Sequence, residues 1–514
     1  MKFHLKVCVY VLALLMLAAC ANEGERSQEL SVDLGSLPSS LDPHAANDGN
    51  SLYVMTNIYD TLVQMNTDLE IEPGLATELE PITDTTWEAT IREGVTFHDG
   101  EELNAEVVKM NLDRVLDPNV GSPLSFLFDM IEKVEVVDEY IVHIHTKYPF
   151  SALPAHLAHP GGHIISPSSI ERDYEAMEEG EEPLTQVNQN PVGTGYFKFE
   201  ERVSGDYITL EKNEDYWGEE AKVSRIKFNA VPEESTRMAE LLSDEADIIY
   251  PVNTSDVNTI EESDVGFVEQ SESASMSYLG FNVEEEPFDD VRVRNAINMA
   301  IDKEALIDGL MEGIPLTAIG PLAPTVFGYS EEVDTIEHNL EEAKLLLEEA
   351  GYEDGFETDI YVYDRTTADT AVYIQSQLSE LGIEVNIEQM EIGAYLDLTA
   401  QGEHEMLIGS WGTVTLDADY GLYPMFHSEN VGSPGNRSFY NNEDVDRLLE
   451  EARQSTSDEE RLALYQEAQQ IIIDESPIVP LYHSVLLAGL NNHIEGFYQY
   501  PSSFPFLRDV EIVD

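Results

Sequence analysis

The chain runs to 514 residues, with 101 acidic residues against 26 basic ones and a formal net charge of −75. So negative a surface repels phosphate backbones and excludes nucleic acid as a partner. Hydrophobic residues make up 42% of the chain and aromatic residues 9%, enough for real cores, which excludes a disordered acidic polymer as well. The acids are spread along the chain and read as a solvated surface suited to a salty or alkaline exterior.

At the N-terminus, Lys2 and Lys6 flank the start of an apolar run from Val7 to Ala18. A spanning helix needs about 20 apolar residues, so this shorter run reads as a secretory signal. It ends in Leu17-Ala18-Ala19-Cys20, which resembles a lipobox, the processing site of bacterial lipoproteins. That resemblance implies a signal peptide over residues 1–19 and lipid on the sulfur and amino group of Cys20. The protein would then be held at the outer face of the cell membrane, or in the periplasm of a Gram-negative envelope. Ordinary cleavage at an Ala-x-Ala site, leaving Cys20 free or discarded, is the alternative. Cys8 lies within the signal, so the mature body has no disulfide, thiol nucleophile or cysteine metal site. Residues 20–29 are polar and aperiodic, as a tether is.

Strand-like and helix-like patterns then alternate. Thr86 to Arg92 alternates as a strand, and the chain turns at Asp99-Gly100. Asn104 suits the cap of a helix running to about Leu116, before Pro118. Residues 134–146 read as a hairpin centred on Asp138-Glu139. Asn339 followed by Glu342 predicts a capping-box-like start; Leu340, Ala343, Leu346, Leu347 and Ala350 share one face, and Gly351 suits the stop. A strand pattern, FETDIYVY, follows. Ala371, Ile374, Leu378 and Leu381 make a second stripe closed by Gly382, and IEVNIEQM is another strand. Strand, helix, strand with short links is a βαβ unit with parallel pairing. Val445, Leu448, Leu449 and Ala452 mark a further helix, and Ser457 with Glu460 starts one that runs until Pro477. The whole is mixed α/β.

Seven stretches in order resemble family 5 of the bacterial extracellular solute-binding proteins of ABC importers. They are residues 34–63, 73–80, 91–118, 190–200, 210–218, 288–310 and 477–497, among them IREGVTFHDGEELNAEVVKMNLDRVLDP and PIVPLYHSVLLAGLNNHIEGF. The family takes peptides, glutathione or nickel, and the segment SWGTVTLDADYGLYPMFHS looks most like its glutathione-binding branch. The resemblance implies a two-lobe periplasmic-binding-protein-like fold, of type II or cluster C, with an inserted subdomain. Lobe one would comprise residues 30–60, 188–275 and 485–514, the insert 61–187, and lobe two 276–484. A two-segment hinge would lie near SMSYLGFN and HSVLLAGL, and the lobes would close over a ligand.

Arg365 sits at a strand-to-helix turn, and its planar fork suits a carboxylate bidentately. Its position also matches the one where dipeptide-binding relatives hold the ligand carboxylate. Arg437, in GSPGNRSFYNN, is a second candidate. Trp411 lies among glycines that allow close approach of a ligand. Asp417 and Asp419 suit a ligand ammonium, or alternatively brace their own loop. Where dipeptide-binding relatives place an ammonium-holding aspartate, three residues after the tryptophan, this chain has Val414. His156, His159 and His163 invite a metal reading, but Pro160-Gly161-Gly162 breaks any helix between them. His427 and His98 read as structural histidines. H-E-x-x-H, G-x-S-x-G and P-loop signatures are missing.

The expectation is a monomeric, lipid-anchored receptor, not an enzyme and without a cofactor. It would capture a small peptide, plausibly glutathione, for an ABC permease and its ATPase subunits. The rivals are a nickel- or metal-chelate receptor of the same fold, a secreted hydrolase using the Asp417-Asp419 pair, and a signalling or chaperone role on the same scaffold.

Overall fold

The computed structural model describes residues 28–46 and 48–513. The expected signal peptide, Cys20 and most of the expected tether lie outside those residues. Glu29, the last residue of the expected tether, already pairs with Arg225 in a strand. Among the described residues no helix is long and apolar enough to cross a membrane.

The first strand, β1 (Glu29–Leu34), belongs to the main sheet. A separate antiparallel sheet follows, made of β2 (Ala76–Thr83), β3 (Thr86–Ile91), β4 (Ile131–Asp138) and β5 (Ile141–Thr146), in the order β2-β3-β5-β4. The chain then returns to the main sheet with β6 (Phe197–Val203), β7 (Tyr207–Lys212), β8 (Arg225–Ala230) and β9 (Ile248–Tyr250). The long β10 (Gly266–Phe281) crosses the molecule. It is followed by β11 (Glu357–Val362), β12 (Glu384–Gln389), β13 (Met406–Gly412) and a second long strand, β14 (Ile478–Asn491). Their order is β12-β11-β13-β10-β14-β9-β1-β8-β7-β6, and a short strand, Leu316–Thr317, adds to β14.

Local chemistry sets these elements where the sequence predicts them. The Asn104 side chain accepts from the Val107 N–H and caps the helix Ala105–Leu116. Asn339 caps Leu340–Ala350, which ends on Gly351 at φ +91°. The helix Arg365–Ser379 joins β11 to β12, and those strands pair in parallel as a βαβ unit requires. Ser457 caps Asp458–Glu475. One boundary moves: β4 runs through Asp138, and the turn falls on Glu139 and Tyr140. The Glu139 carbonyl is held there by the Ala105 N–H at 2.9 Å, and its own N–H by the Asp138 carboxylate at 2.8 Å.

The apolar residues gather in distinct cores. One unites β1, the helix Gly49–Ile58, β6 to β9 and the chain's last residues around Leu34, Ile58, Phe197 and Phe228. A second lies under the four-stranded sheet around Trp87, Leu112 and Phe128, and takes in Tyr420 from far along the chain. Two more flank β10, β11 and β13. A fully buried ion cluster ties the segment after β1 to this second unit. Arg114 reaches Asp42 at 2.7 Å and Asp173 at 2.8 Å.

β10 and β14 are antiparallel neighbours along nearly their whole length, with one deep irregularity. Glu272 faces Val485 and Met276 faces His483, so Ser273, Ala274 and Ser275 stand opposite Ser484 alone. Freed from the ladder, the Ala274 N–H donates to the Pro501 carbonyl at 2.8 Å, and its carbonyl accepts from the Thr413 N–H at 3.1 Å.

Candidate functional site

The strand directions locate the site. β1 and β9 run parallel, as do β11 and β13. β9 is antiparallel to β14, β14 to β10, and β10 to β13. The two parallel sets therefore point at each other along the long strands, and their carboxyl ends meet near the irregularity at Ser484. Ligands of open α/β sheets bind outside strand carboxyl ends, where the topology switches.

A cleft of about 580 Å³ lies there. Val252 and Asn253, just after β9, line one wall; Arg365 and Thr366, just after β11, line the other; Ser484 and Val485 of β14 lie between. Three helices begin on it, Glu234–Leu242, Thr254–Glu261 and Arg365–Ser379. Their aligned peptide dipoles favour negative charge at these ends. Asp364 caps the third helix in a reciprocal box with Thr367, whereas Glu233 and Asn253 give the other two no side-chain cap.

Arg365 is the only basic side chain among the described residues of this lining. It is the first residue of its helix, its side chain is 89% exposed, and its nearest ionic neighbour is Asp369 at 3.6 Å. The opposite wall is acidic. Burial and the nearby Glu234 carboxylate raise Asp256 above the usual carboxylate range, and the Asn253 side chain donates to Glu234. One wall thus offers a cation at a helix N-terminus and the other offers carboxylates, an arrangement that suits a zwitterion.

Trp411 is the last residue but one of β13 and lies opposite Met276. Its indole N–H donates to the Tyr420 carbonyl at 3.0 Å, and the two rings lie 5.4 Å apart. Of the two glycines beside Trp411, Gly409 leaves room for packing, since a Cβ there would stand 2.7 Å from the Tyr278 ring, whereas one on Gly412 would meet only the Ser275 hydroxyl at 3.1 Å. Arg437 braces the helix Ile392–Ala400, donating to the Leu396 carbonyl at 2.7 Å and the Thr399 hydroxyl at 2.6 Å.

Asp417 and Asp419 have partners within the chain. Asp417 caps the helix Ala418–Phe426 through the Asp419 N–H and meets Arg461 at 2.6 Å. Asp419 is buried between Arg453 at 2.9 Å and His156 at 3.3 Å. Burial would push its carboxyl up, but Arg453 and His156 outweigh that and hold it below the usual range. A general acid near neutral pH needs the opposite shift, so Asp419 is not poised as one.

The histidines are likewise engaged. His156 contacts the Leu127 carbonyl at 2.8 Å, His159 accepts from the Gly161 N–H at 2.8 Å, and His163 stacks on Tyr59. His427 stacks on Tyr423 and lies 3.3 Å from Glu450. His98 contacts the Gly195 carbonyl at 2.9 Å. Among the described residues no group of three His, Cys, Asp or Glu side chains is placed to hold a metal ion.

Trp411, Asp417 and Asp419 thus come together around Tyr420, whereas Arg365 stands at the cleft. Sequence reasoning missed Arg453, Arg461 and His156 as the partners of the aspartates. The one available signal was the placement of scarce arginines on the apolar faces of two helices.

The family model for bacterial extracellular solute-binding proteins, family 5, matches residues 70–433. The chain is 32% identical over 488 residues to the glutathione-binding protein GsiB of Salmonella typhi, covering 93% of each. Among solved structures it resembles the Helicobacter pylori periplasmic binding protein DppA in complex with the peptide STSA, with TM-score 0.84 and 30% identity over 95% of this chain and 98% of that one. It also resembles the dipeptide-binding protein of Pseudoalteromonas sp. SM9913 in complex with Met-Leu, with TM-score 0.85 and 25% identity over 94% and 100%.

Proposed function

The chain belongs to family 5 of the bacterial extracellular solute-binding proteins, and from that premise we propose that it captures glutathione or a similar small peptide at the cleft beside Ser484. It acts as the lipid-anchored, monomeric receptor of an ABC importer and hands its ligand to a membrane permease driven by ATPase subunits. Residues 30–60, 188–275 and 485–514 act as one lobe, 276–484 as the other, and 61–187 ride as an insert. Closure turns about β10 and β14 where their ladder is interrupted.

The observation that carries this reading is the head-on meeting of two sets of strand carboxyl ends, with Arg365 on one wall and Glu234 and Asp256 on the other. Glutathione carries two carboxylates and one ammonium. A carboxylate takes the Arg365 fork, and the ammonium takes the acidic wall. Trp411 and Arg437 shape the neighbouring loop, and Asp417 and Asp419 keep it rigid. The relatives named for glutathione and for peptides support the ligand class. Calorimetry with glutathione and with di- to pentapeptides, in salt suited to so acidic a protein, tests it. Binding heat with glutathione is the expected result, and silence across the whole panel would sink the ligand assignment.

A further inference from the structure

A second cavity, of about 360 Å³, lies between the helix Gly49–Ile58, the segment just after it and the C-terminal residues 500–509. It shares no lining residue with the cleft and draws none from residues 276–484, so closing the two lobes leaves it untouched. Its volume is that of a small-molecule site.

Its walls are aromatic and set at steep angles. Tyr500 meets Phe506 at 86° with ring centres 6.2 Å apart, and Tyr196 meets Phe506 at 65° and 6.1 Å. Rings crossed in this way form the corner of a box whose π faces attract cations. The Phe506 ring already carries one, since the Arg508 guanidinium lies 4.8 Å from its centre. That charge is matched by Asp509 at 3.0 Å and Glu219 at 3.5 Å.

The lining has acid to spare. Asp60 is buried and accepts from the Trp217 N–H at 2.9 Å and from the Thr194 and Tyr216 hydroxyls at 2.7 and 3.1 Å. Glu72 adds one more carboxylate to the lining, beyond the Asp509 already taken by Arg508. His163 brings no positive charge, because burial holds it down to about 3.

We propose that this cavity is a second binding site, for a small organic cation bearing a methylated or primary ammonium group. The ammonium sits in the corner of Tyr196, Tyr500 and Phe506, facing the Asp60 side of the box. The site is independent of the peptide assigned to the cleft.

The test titrates choline and tetramethylammonium, and the neutral choline isostere 3,3-dimethylbutanol, into the full mature chain at fixed high salt. Ligand-observed NMR is the readout, with calorimetry alongside. Both cations should bind with Kd of about 1 mM or tighter and the neutral isostere at least about tenfold more weakly. Tyr500→Leu should weaken the cations about tenfold or more, Tyr500→Phe should keep them, and Arg365→Ala should change nothing. Equal binding of the neutral isostere, or cation signals that survive Tyr500→Leu, would overturn the proposal by showing only condensation on an acidic surface. Should Tyr500→Leu fail to fold, Tyr196→Leu takes its place with the same expected loss.

Discussion

Asp419 is the most exacting place to test the reading of the aspartates as braces. Its carboxylate is buried and meets Arg453 and His156, so it ties the helix Ala418–Phe426 both to the helix ending at Gln454 and to the segment after the four-stranded sheet. Replacing it by leucine strands the Arg453 guanidinium. Removing one partner of a buried pair costs about 3–5 kcal/mol. Arg453 keeps some compensation, because it lies 3.6 Å from the centre of the Tyr423 ring, a cation–π contact worth about 1–2 kcal/mol when desolvated. Asp419→Leu should therefore destabilise by about 2–4 kcal/mol, and Arg453→Met by a similar amount. The double variant leaves neither charge stranded and should cost clearly less than the sum, with a coupling energy of about 2 kcal/mol or more. Urea unfolding at one pH and salt, followed by tryptophan fluorescence and by far-UV circular dichroism, measures all four corners of the cycle; coincident transitions validate the comparison. Additive single losses, or a loss below about 1 kcal/mol for Asp419→Leu, would refute the brace.

Two further outcomes are expected. Arg365→Ala should weaken glutathione by at least about 1.5 kcal/mol, as loss of a charged hydrogen bond does, while leaving the urea midpoint unchanged because the side chain is 89% exposed; calorimetry with an unchanged affinity would remove Arg365 from the site. Burial holds His98, His404 and His483 down to about 4 and His159 and His163 to about 3. At these five groups the native state binds fewer protons than the unfolded chain below 6.5, so their contribution to stability is full above that pH and falls as pH drops towards 4. Each such histidine adds about 1.4 kcal/mol per pH unit to the slope. Asp33, pushed up to about 7 by burial and by Glu240, works in the opposite sense, and so do Asp42, Asp60, Asp129, Asp256 and Glu269, which burial also raises. His404→Gln should lose stability less steeply than the wild type between 6.5 and 4, and a urea-midpoint profile parallel to the wild type's would contradict this contribution.

What the sequence made legible was local. Asn104, Asn339 and Ser457 satisfy N–H groups within their own first turns, and Gly351 and Gly382 take up positive φ where their helices stop. Such features need no knowledge of the rest of the chain. Of the strands that precede the cleft-lining helices, only the one before Arg365 was legible, from its own alternation in FETDIYVY. The partners of Asp417 and Asp419 were not, because two acids at a helix start carry no mark of which distant arginine will reach them. The cleft itself was hidden too. Glu234, Asn253 and Arg365 share it only because β10 and β14 bring opposed strand ends together, and that pairing joins segments almost half the chain apart. Trp411 misled in part: its glycines suggested room for a ligand, whereas Gly409 makes room for Tyr278.

The interruption between β10 and β14 also constrains how this chain can gain or lose residues. From Glu272 to Met276 is four steps on one strand, and from Val485 to His483 is two on the other. Both counts are even, so side chains keep their faces across the gap. Deleting one residue among Ser273, Ala274 and Ser275 would make the count odd and turn Met276 and the residues after it to the wrong side of the sheet. Deleting two would preserve parity and close this gap, leaving only the single-residue bulge between Ser277 and Tyr278, at the loss of the Ala274 links to Pro501 and Thr413. A change of length at this point is therefore expected to keep the sheet faces only when it comes in twos.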